Sequence, residues 1–312
     1  MKTDYINEVV RRSRLIMPAN APKFTDKAFS RNADAVVLDL EDSVPVSEKA
    51  ATRKLIKELI PNVGRGGSDV FVRVNNTAEM LNDDITASVW PGLAGLIIPK
   101  VESADEIGRI EQLIAKLEKE RNISEGTIVI SVLIESGKGY LNLAHIAAAS
   151  ERVDSLTLGN EDFLREMGIT ESADTYQGLL VARMQLLFTA RAYGKIPMGL
   201  LGSLANYGDP DAFEKSAVLA YRHGFLGASC IHPGNVEVLN RAFSPGMEEI
   251  ERSGKIIKAM NEAIAAGRAS TSFEGKMIDY VHLDRAKQQL ARSARIAAFE
   301  QKKKQAREGL AS

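Results

Sequence analysis

The chain is nearly devoid of cysteine and poor in histidine, with one Cys, at position 230, and four scattered His in 312 residues. A lone thiol closes no internal disulfide, which fits a reducing compartment and makes the cytoplasm the expected location. Without a Cys/His cluster, zinc is not the metal to expect. Charge of one sign is missing too: 40 Lys and Arg face 41 Asp and Glu, so no global field draws nucleic acid or an anionic membrane. No apolar run approaches the ~18 residues of a membrane span. Residues 1–14 hold no signal-like apolar core, and residues 64–67 lack the phosphate-loop pattern. The remainder, 45% hydrophobic and 26% charged, is ordinary for a globular protein, and a chain this long buries roughly three quarters of its unfolded surface.

Apolar runs of strand length alternate with helical patterns. Strands are expected at 14–17, 35–40, 70–74, 95–99, 127–134, 155–159, 196–201 and 227–231. Between them, 103–121 is the clearest helix: Ser103 and Glu106 form a capping signal, and Ile107, Ile110, Ile114 and Leu117 share one face. Residues 45–60, 138–149, 174–193 and 209–223 are the other helix candidates. Such alternation predicts a parallel sheet closed into a (β/α)8 TIM barrel over residues 1–245, with an open doubly wound sheet as the alternative.

Several of these strands end in acids. Val36 to Leu40 runs into Glu41 and Asp42, Val129 to Ile134 into Glu135, and Leu156 to Leu158, through Gly159, into Glu161 and Asp162. Carboxylates gathered at the ends of buried strands need a divalent cation or an arginine to offset desolvation and repulsion. Hard oxygen donors point to Mg²⁺, with Mn²⁺ as the alternative. Barrel enzymes work at the carboxyl ends of their strands, where Arg73, Asn75, Lys100 and His232 also fall.

Beyond His232 two more helices are expected, 248–266 and 283–308, separated by a loop at 267–279. Together, 246–312 form a C-terminal helical extension. Leu283, Ala286, Leu290, Ala294 and Ala297 line one side of the last helix, an apolar face that predicts cover by a partner subunit. Lys302, Lys303 and Lys304 read as a solvated helix end.

The strings Arg14-Leu-Ile-Met-Pro-Ala19, Leu38-Asp-Leu-Glu-Asp42, Val72-Arg-Val-Asn75, Ile98-Pro-Lys100, Leu133-Ile-Glu135, Gly159-Asn-Glu-Asp162, Cys230-Ile-His-Pro233 and Phe273-Glu-Gly-Lys-Met-Ile-Asp279 resemble the HpcH/HpaI aldolase and citrate lyase superfamily. Within it they are most similar to the citrate lyase β-subunit and malyl-CoA lyase branch. The resemblance implies a Mg-dependent carbon–carbon lyase that splits a 3-hydroxyacyl-CoA of the malyl, citramalyl or citryl type into acetyl-CoA and a 2-oxo acid by a reverse Claisen reaction. It implies Glu135 and Asp162 as metal ligands, Glu41 and Asp42 behind them, and Arg73 as stabiliser of the enolate oxygen or the substrate carboxylate. Asp279 is implied as the proton-moving residue, lent by a neighbouring subunit of a homotrimer or homohexamer. Lys23 and Lys27 fall where family members hold CoA phosphates, although Ala21 departs from the usual pattern of that loop.

Each role has a plainer reading. Arg73 pairs structurally with Glu41 or Asp42, Glu135 and Asp162 form an ion-paired rim, Asp279 caps the last helix, His232 makes a structural hydrogen bond, and Cys230 is a buried strand residue. Two other functions compete. One is a citrate lyase β-subunit whose citryl group is held by an acyl carrier protein. The other is a CoA-independent, pyruvate-type class II aldolase, which usually carries Gly-Glu-His where this chain has Leu40-Glu41-Asp42.

Overall fold

The computed structural model describes residues 6, 8–170, 172, 175–202 and 209–310. They fall into two compact units: Arg11–Phe243 with Lys303–Ser312, and Ser244–Lys302 with Met1–Val10.

The first unit holds eight parallel strands: β1 (Ser13–Pro18), β2 (Ala35–Asp39), β3 (Asp69–Arg73), β4 (Gly95–Ile98), β5 (Val129–Ile134), β6 (Val153–Leu158), β7 (Ile196–Met198) and β8 (Ala228–Cys230). The hydrogen-bonded order is β7-β6-β5-β4-β3-β2-β1-β8. At the remaining seam, Leu226 N donates to Pro197 O (3.1 Å) and Gly199 N to Gly227 O (2.9 Å). Those bonds draw the two edges together, so the sheet is a nearly closed (β/α)8 barrel as expected. Each predicted strand is present; β7 and β8 are shorter than their apolar runs.

Pleating sends alternate residues to opposite faces. Leu15, Met17, Val36, Leu38, Val70 and Val72 join the large core beneath the helices. Val37, Phe71 and Ile97 form a second cluster, against which Ile16 and Leu133 pack. Both faces are buried, which is why the strands read as near-continuous apolar runs.

The helix at Ala104–Glu120 starts as predicted, with Ser103 Oγ accepting from Glu106 N. Its capping box is only half formed, because Glu106 accepts instead from Glu102 N and Asn76. The predicted helix at 45–60 is divided into a short 3-10 turn and two helices, Lys49–Arg53 and Ile56–Gly64.

The second unit contains a helix (Met247–Ala265), a hairpin of β9 (Ser270–Phe273) and β10 (Lys276–Asp279), and the start of the long helix Tyr280–Glu308. The hairpin replaces the loop expected at 267–279. Glu274 (φ 50°) and Gly275 (φ 75°) are its two turn residues, a mirror-image turn whose twist suits paired strands. The expected apolar face is partly covered within the chain, since Leu283 clusters with Met260 and Ile278. Lys303 corrects the solvated-end reading. It is fully buried, and its Nζ donates to Asp34 Oδ1 (2.7 Å) and Asn32 O (2.9 Å). Lys302 and Lys304 are exposed.

Candidate active site

Two inward residues, Asp39 at the end of β2 and Arg73 at the end of β3, are aligned by strand register. The Arg73 guanidinium grips Asp39 through Nε (2.7 Å) and Nη2 (2.8 Å). Its Nη1 reaches Glu41 Oε2 at 3.0 Å and Asp42 Oδ2 at 3.4 Å. Burial alone would raise the Asp39 carboxyl, but Arg73, Ser43 and the Glu41 amide hold it below its usual range. The same acids keep Arg73 protonated despite burial. The sequence reading gave Asp39 no role, and its paired-arginine alternative named Glu41 and Asp42. The missed signal is period two: Asp39 and Glu41 are two residues apart, and Glu41 begins just past the strand.

Lys100 is the second residue left without a role. It follows β4 in a left-handed conformation (φ 53°), uncommon for a side chain of this kind and found most often where surroundings impose it. There its amide donates to Glu135 Oε2 (2.9 Å) and its Nζ to Glu41 Oε1 (2.6 Å). One residue thus fixes two carboxylates. Burial would lower the Lys100 ammonium, yet Glu41, Glu135 and Asp162 raise it.

Glu135 continues β5 into the barrel mouth and packs across Gly159. A Cβ at Gly159 would stand 2.4 Å from the Glu135 side chain, so this glycine makes room for the carboxylate. Burial, then Glu41 and Asp162, push the Glu135 carboxyl up to about 7. Asp162 lies in the first turn of the helix Asn160–Met167 and pairs with Arg165. Both acids line one cavity of about 180 Å³, with Asp42, Arg73 and Glu161. Ile16, Ile97, Leu133 and Thr157 continue its walls into the barrel, and Arg14 also lines it. A neighbouring pocket of about 360 Å³ shares Asp42 and Arg73 and is lined by Met17, Pro18, Phe24 and Ile231.

Among the described residues, no group of three or more His, Cys, Asp or Glu side chains is placed to hold a metal. The available donors are the two carboxylates of Glu135 and Asp162, while Glu41 beside them is engaged by Arg73 and Lys100. Mg²⁺ usually binds through one or two carboxylates and keeps several waters, so this set fits a small hard cation.

The other predicted residues fall elsewhere. Lys23 lies on the short helix Pro22–Thr25, over the Phe24 ring (4.8 Å), with Lys27 just beyond, both exposed. Asp279 belongs to the second unit. Its Oδ1 accepts from Val281 N (3.1 Å) and pairs with His282 Nδ1 (2.7 Å), which holds its carboxyl below the usual range. It therefore caps the long helix. His232 Nδ1 accepts from Gly234 N. Cys230 is buried, which pushes its thiol up to about 12.

A parallel eight-stranded barrel with an acid cluster and an arginine at the carboxyl ends of its strands is the architecture of a TIM-barrel enzyme. The chain belongs to the HpcH/HpaI aldolase/citrate lyase family, whose model matches residues 12–233. It is 34% identical over 274 residues to a citrate lyase subunit beta from Leuconostoc mesenteroides subsp. cremoris, covering 88% of this chain and 90% of that one. A (3S)-malyl-CoA thioesterase from Cereibacter sphaeroides (strain ATCC 17025) is 30% identical over 290 residues, covering 92% and 96%. Among solved structures, a citrate lyase beta subunit from M. tuberculosis, complexed with oxaloacetate and magnesium, is 25% identical. It matches with a TM-score of 0.61 over 77% of this chain and 99% of that one. A citrate lyase from Burkholderia xenovorans LB400 shares the fold at a TM-score of 0.78 and 19% identity, covering 94% and 95%. This chain is thus a member of a lyase family.

Proposed function

We propose that this protein is a Mg²⁺-dependent carbon–carbon lyase that cleaves a 3-hydroxyacyl thioester into an acetyl thioester and a 2-oxo acid. The observation that carries the reading is Glu135 and Asp162 lining one cavity with Arg73, the acid of β5 crowded enough to reach about 7. A cation there relieves that crowding. Magnesium, when bound, supplies Lewis-acid polarisation of the acid's oxygens and a template for the substrate. The magnesium and oxaloacetate held by the M. tuberculosis relative support the same choice.

The chain's own residues do the rest. Glu135 and Asp162 hold the cation, Lys100 fixes Glu135 from its amide, and Glu41, paired with both Lys100 and Arg73, stands behind them to accept from a bound water. Arg73, kept charged and oriented by Asp39, stabilises the oxygen that gains charge when the C–C bond breaks. Losing one such donor typically costs ~10² to 10³ in rate. The apolar pocket beside Arg73 accommodates the thioester arm, with Lys23 and Lys27 for phosphates. Coenzyme A is the proposed carrier; an acyl carrier protein is the alternative, favoured by the citrate lyase relatives. Asp279, supplied by a neighbouring copy in a homo-oligomer, moves the proton. Exposed Met277, Tyr280 and Val281 flank it and are suited to such an interface.

Malyl-, citramalyl- and citryl-CoA, each assayed with and without Mg²⁺ for both free 2-oxo acid and free thiol, test this directly. Magnesium-dependent release of a 2-oxo acid from at least one, lost in Asp162→Ala and Asp279→Ala, is expected. Full activity in chelator, or thiol release without 2-oxo acid as the thioesterase relative would give, contradicts the lyase reading.

A further inference from the structure

Asp279 is held by more than the cap of a helix needs. A cap is complete when a side-chain oxygen takes the first free amides, and Asp279 Oδ1 does this by accepting from Val281 N (3.1 Å) and His282 N (3.4 Å). The same oxygen stands 2.7 Å from His282 Nδ1. Two lone pairs do not approach so closely, so a proton lies between them. It belongs to the ring, because the bond from His282 holds the Asp279 carboxyl below its usual range and therefore ionised at neutral pH. The Asp279 amide lies 3.3 Å from Nδ1, a longer contact that a protonated nitrogen does not accept.

Every hydrogen bond to this carboxylate is thus gathered on Oδ1. Oδ2 takes none among the described residues, and the side chain is 38% exposed, open to an approaching substrate. A group that takes a proton works best when it starts ionised, with one oxygen free and its direction fixed. The amide contacts are long; the ring supplies the one short, charge-assisted bond that stops the carboxylate from turning. No other side chain among the described residues hydrogen-bonds Asp279. We propose that His282 is a positioning residue for proton transfer by Asp279: its Nδ1–H holds Oδ1 and so presents Oδ2 as the oxygen that exchanges the proton. This rests on the lyase reading, in which Asp279 moves the proton, and adds the residue that equips it to do so.

Steady-state kinetics of the full chain, with ¹⁵N NMR of its four histidines, test this. The ring signals lost in His282→Asn identify His282, which should show the Nδ1–H tautomer in wild type and lose it in Asp279→Ala. His282→Leu removes the donor and keeps both amide contacts of the cap. Its kcat for thioester cleavage is expected to fall about tenfold, the weak end of what a hydrogen bond to a charged group is worth. KM should not change, because the ring acts through Asp279. His282→Asn, whose Nδ2 stands where Nδ1 was, should recover most of the loss. An Asn variant as slow as the Leu variant overturns the proposal and makes Nε2 itself the proton carrier, and a tautomer indifferent to Asp279→Ala overturns it too. Wild-type protein that cleaves no thioester defeats the lyase reading, and this role with it. Full-rate cleavage by a folded His282→Leu defeats this inference alone.

Discussion

Glu135 carries the electrostatic cost of the site. Its ordinary value is 4.5, and burial with Glu41 and Asp162 raises it to about 7 in the folded protein. Between those values the folded state retains a proton that the unfolded chain has lost. Stability therefore falls as pH rises through the window, and is fully present only below 4.5. Thermal midpoints in chelator at about pH 5 and about pH 8 should drop more for wild type than for Glu135→Gln, and Mg²⁺ should remove most of that difference. Asp39 behaves oppositely as a partner: Asp39→Asn leaves the 14%-exposed Arg73 side chain without its bidentate anion. Because Glu41 and Asp42 still face the guanidinium, the loss should cost about 1–3 kcal/mol, readable as a lower urea midpoint. Gly159→Ala should fold with a displaced Glu135 and bind Mg²⁺ poorly, while unchanged affinity would refute the packing role assigned to this glycine. At this scale the strand-end acids were legible because apolar runs stop at them. Asp39 was hidden inside its run, and the role of Lys100 depends on a left-handed backbone that spacing does not announce.

Elements show where local chemistry decides. The β9–β10 turn places Glu274 at positive φ, where asparagine is better tolerated. Its ion pair with Arg252 (2.9 Å) joins two substantially exposed side chains and is worth little. Glu274→Asn should raise stability by about 0.5–1 kcal/mol in urea unfolding. This hairpin was illegible because Glu-Gly is a weaker turn signal than Asn-Gly or Asp-Gly, and β9, Ser270–Phe273, is largely polar. The lysine run misled for another reason: pattern alone does not tell which of three adjacent lysines turns inward. Lys303 meets Asp34, which Arg12 also binds through Nε (2.8 Å) and Nη2 (2.9 Å). Lys303→Met should therefore cost about 1–3 kcal/mol, because Asp34 keeps one cation. Lys304→Met, at an exposed position, should stay within about 0.5 kcal/mol.

For the whole molecule, barrel closure was the most legible feature. Strands buried on both faces have to be apolar throughout, and eight such runs with helical spacers leave few topologies. The reading of the last helix as an apolar face awaiting a partner was only partly right, because Met260 and Ile278 cover Leu283 within the chain. The proposed homo-oligomer draws on Met277, Tyr280 and Val281, which are exposed around Asp279. Sedimentation equilibrium should return a multiple of 34.0 kDa, and Val281→Asp should shift it towards the protomer. The claim on which the rest depends is that Glu135 and Asp162 share one divalent cation. Titration of metal-free protein with Mg²⁺ should show one site per protomer in wild type, and Glu135→Gln and Asp162→Asn should each weaken it at least tenfold. Affinity unchanged in both variants would contradict the account.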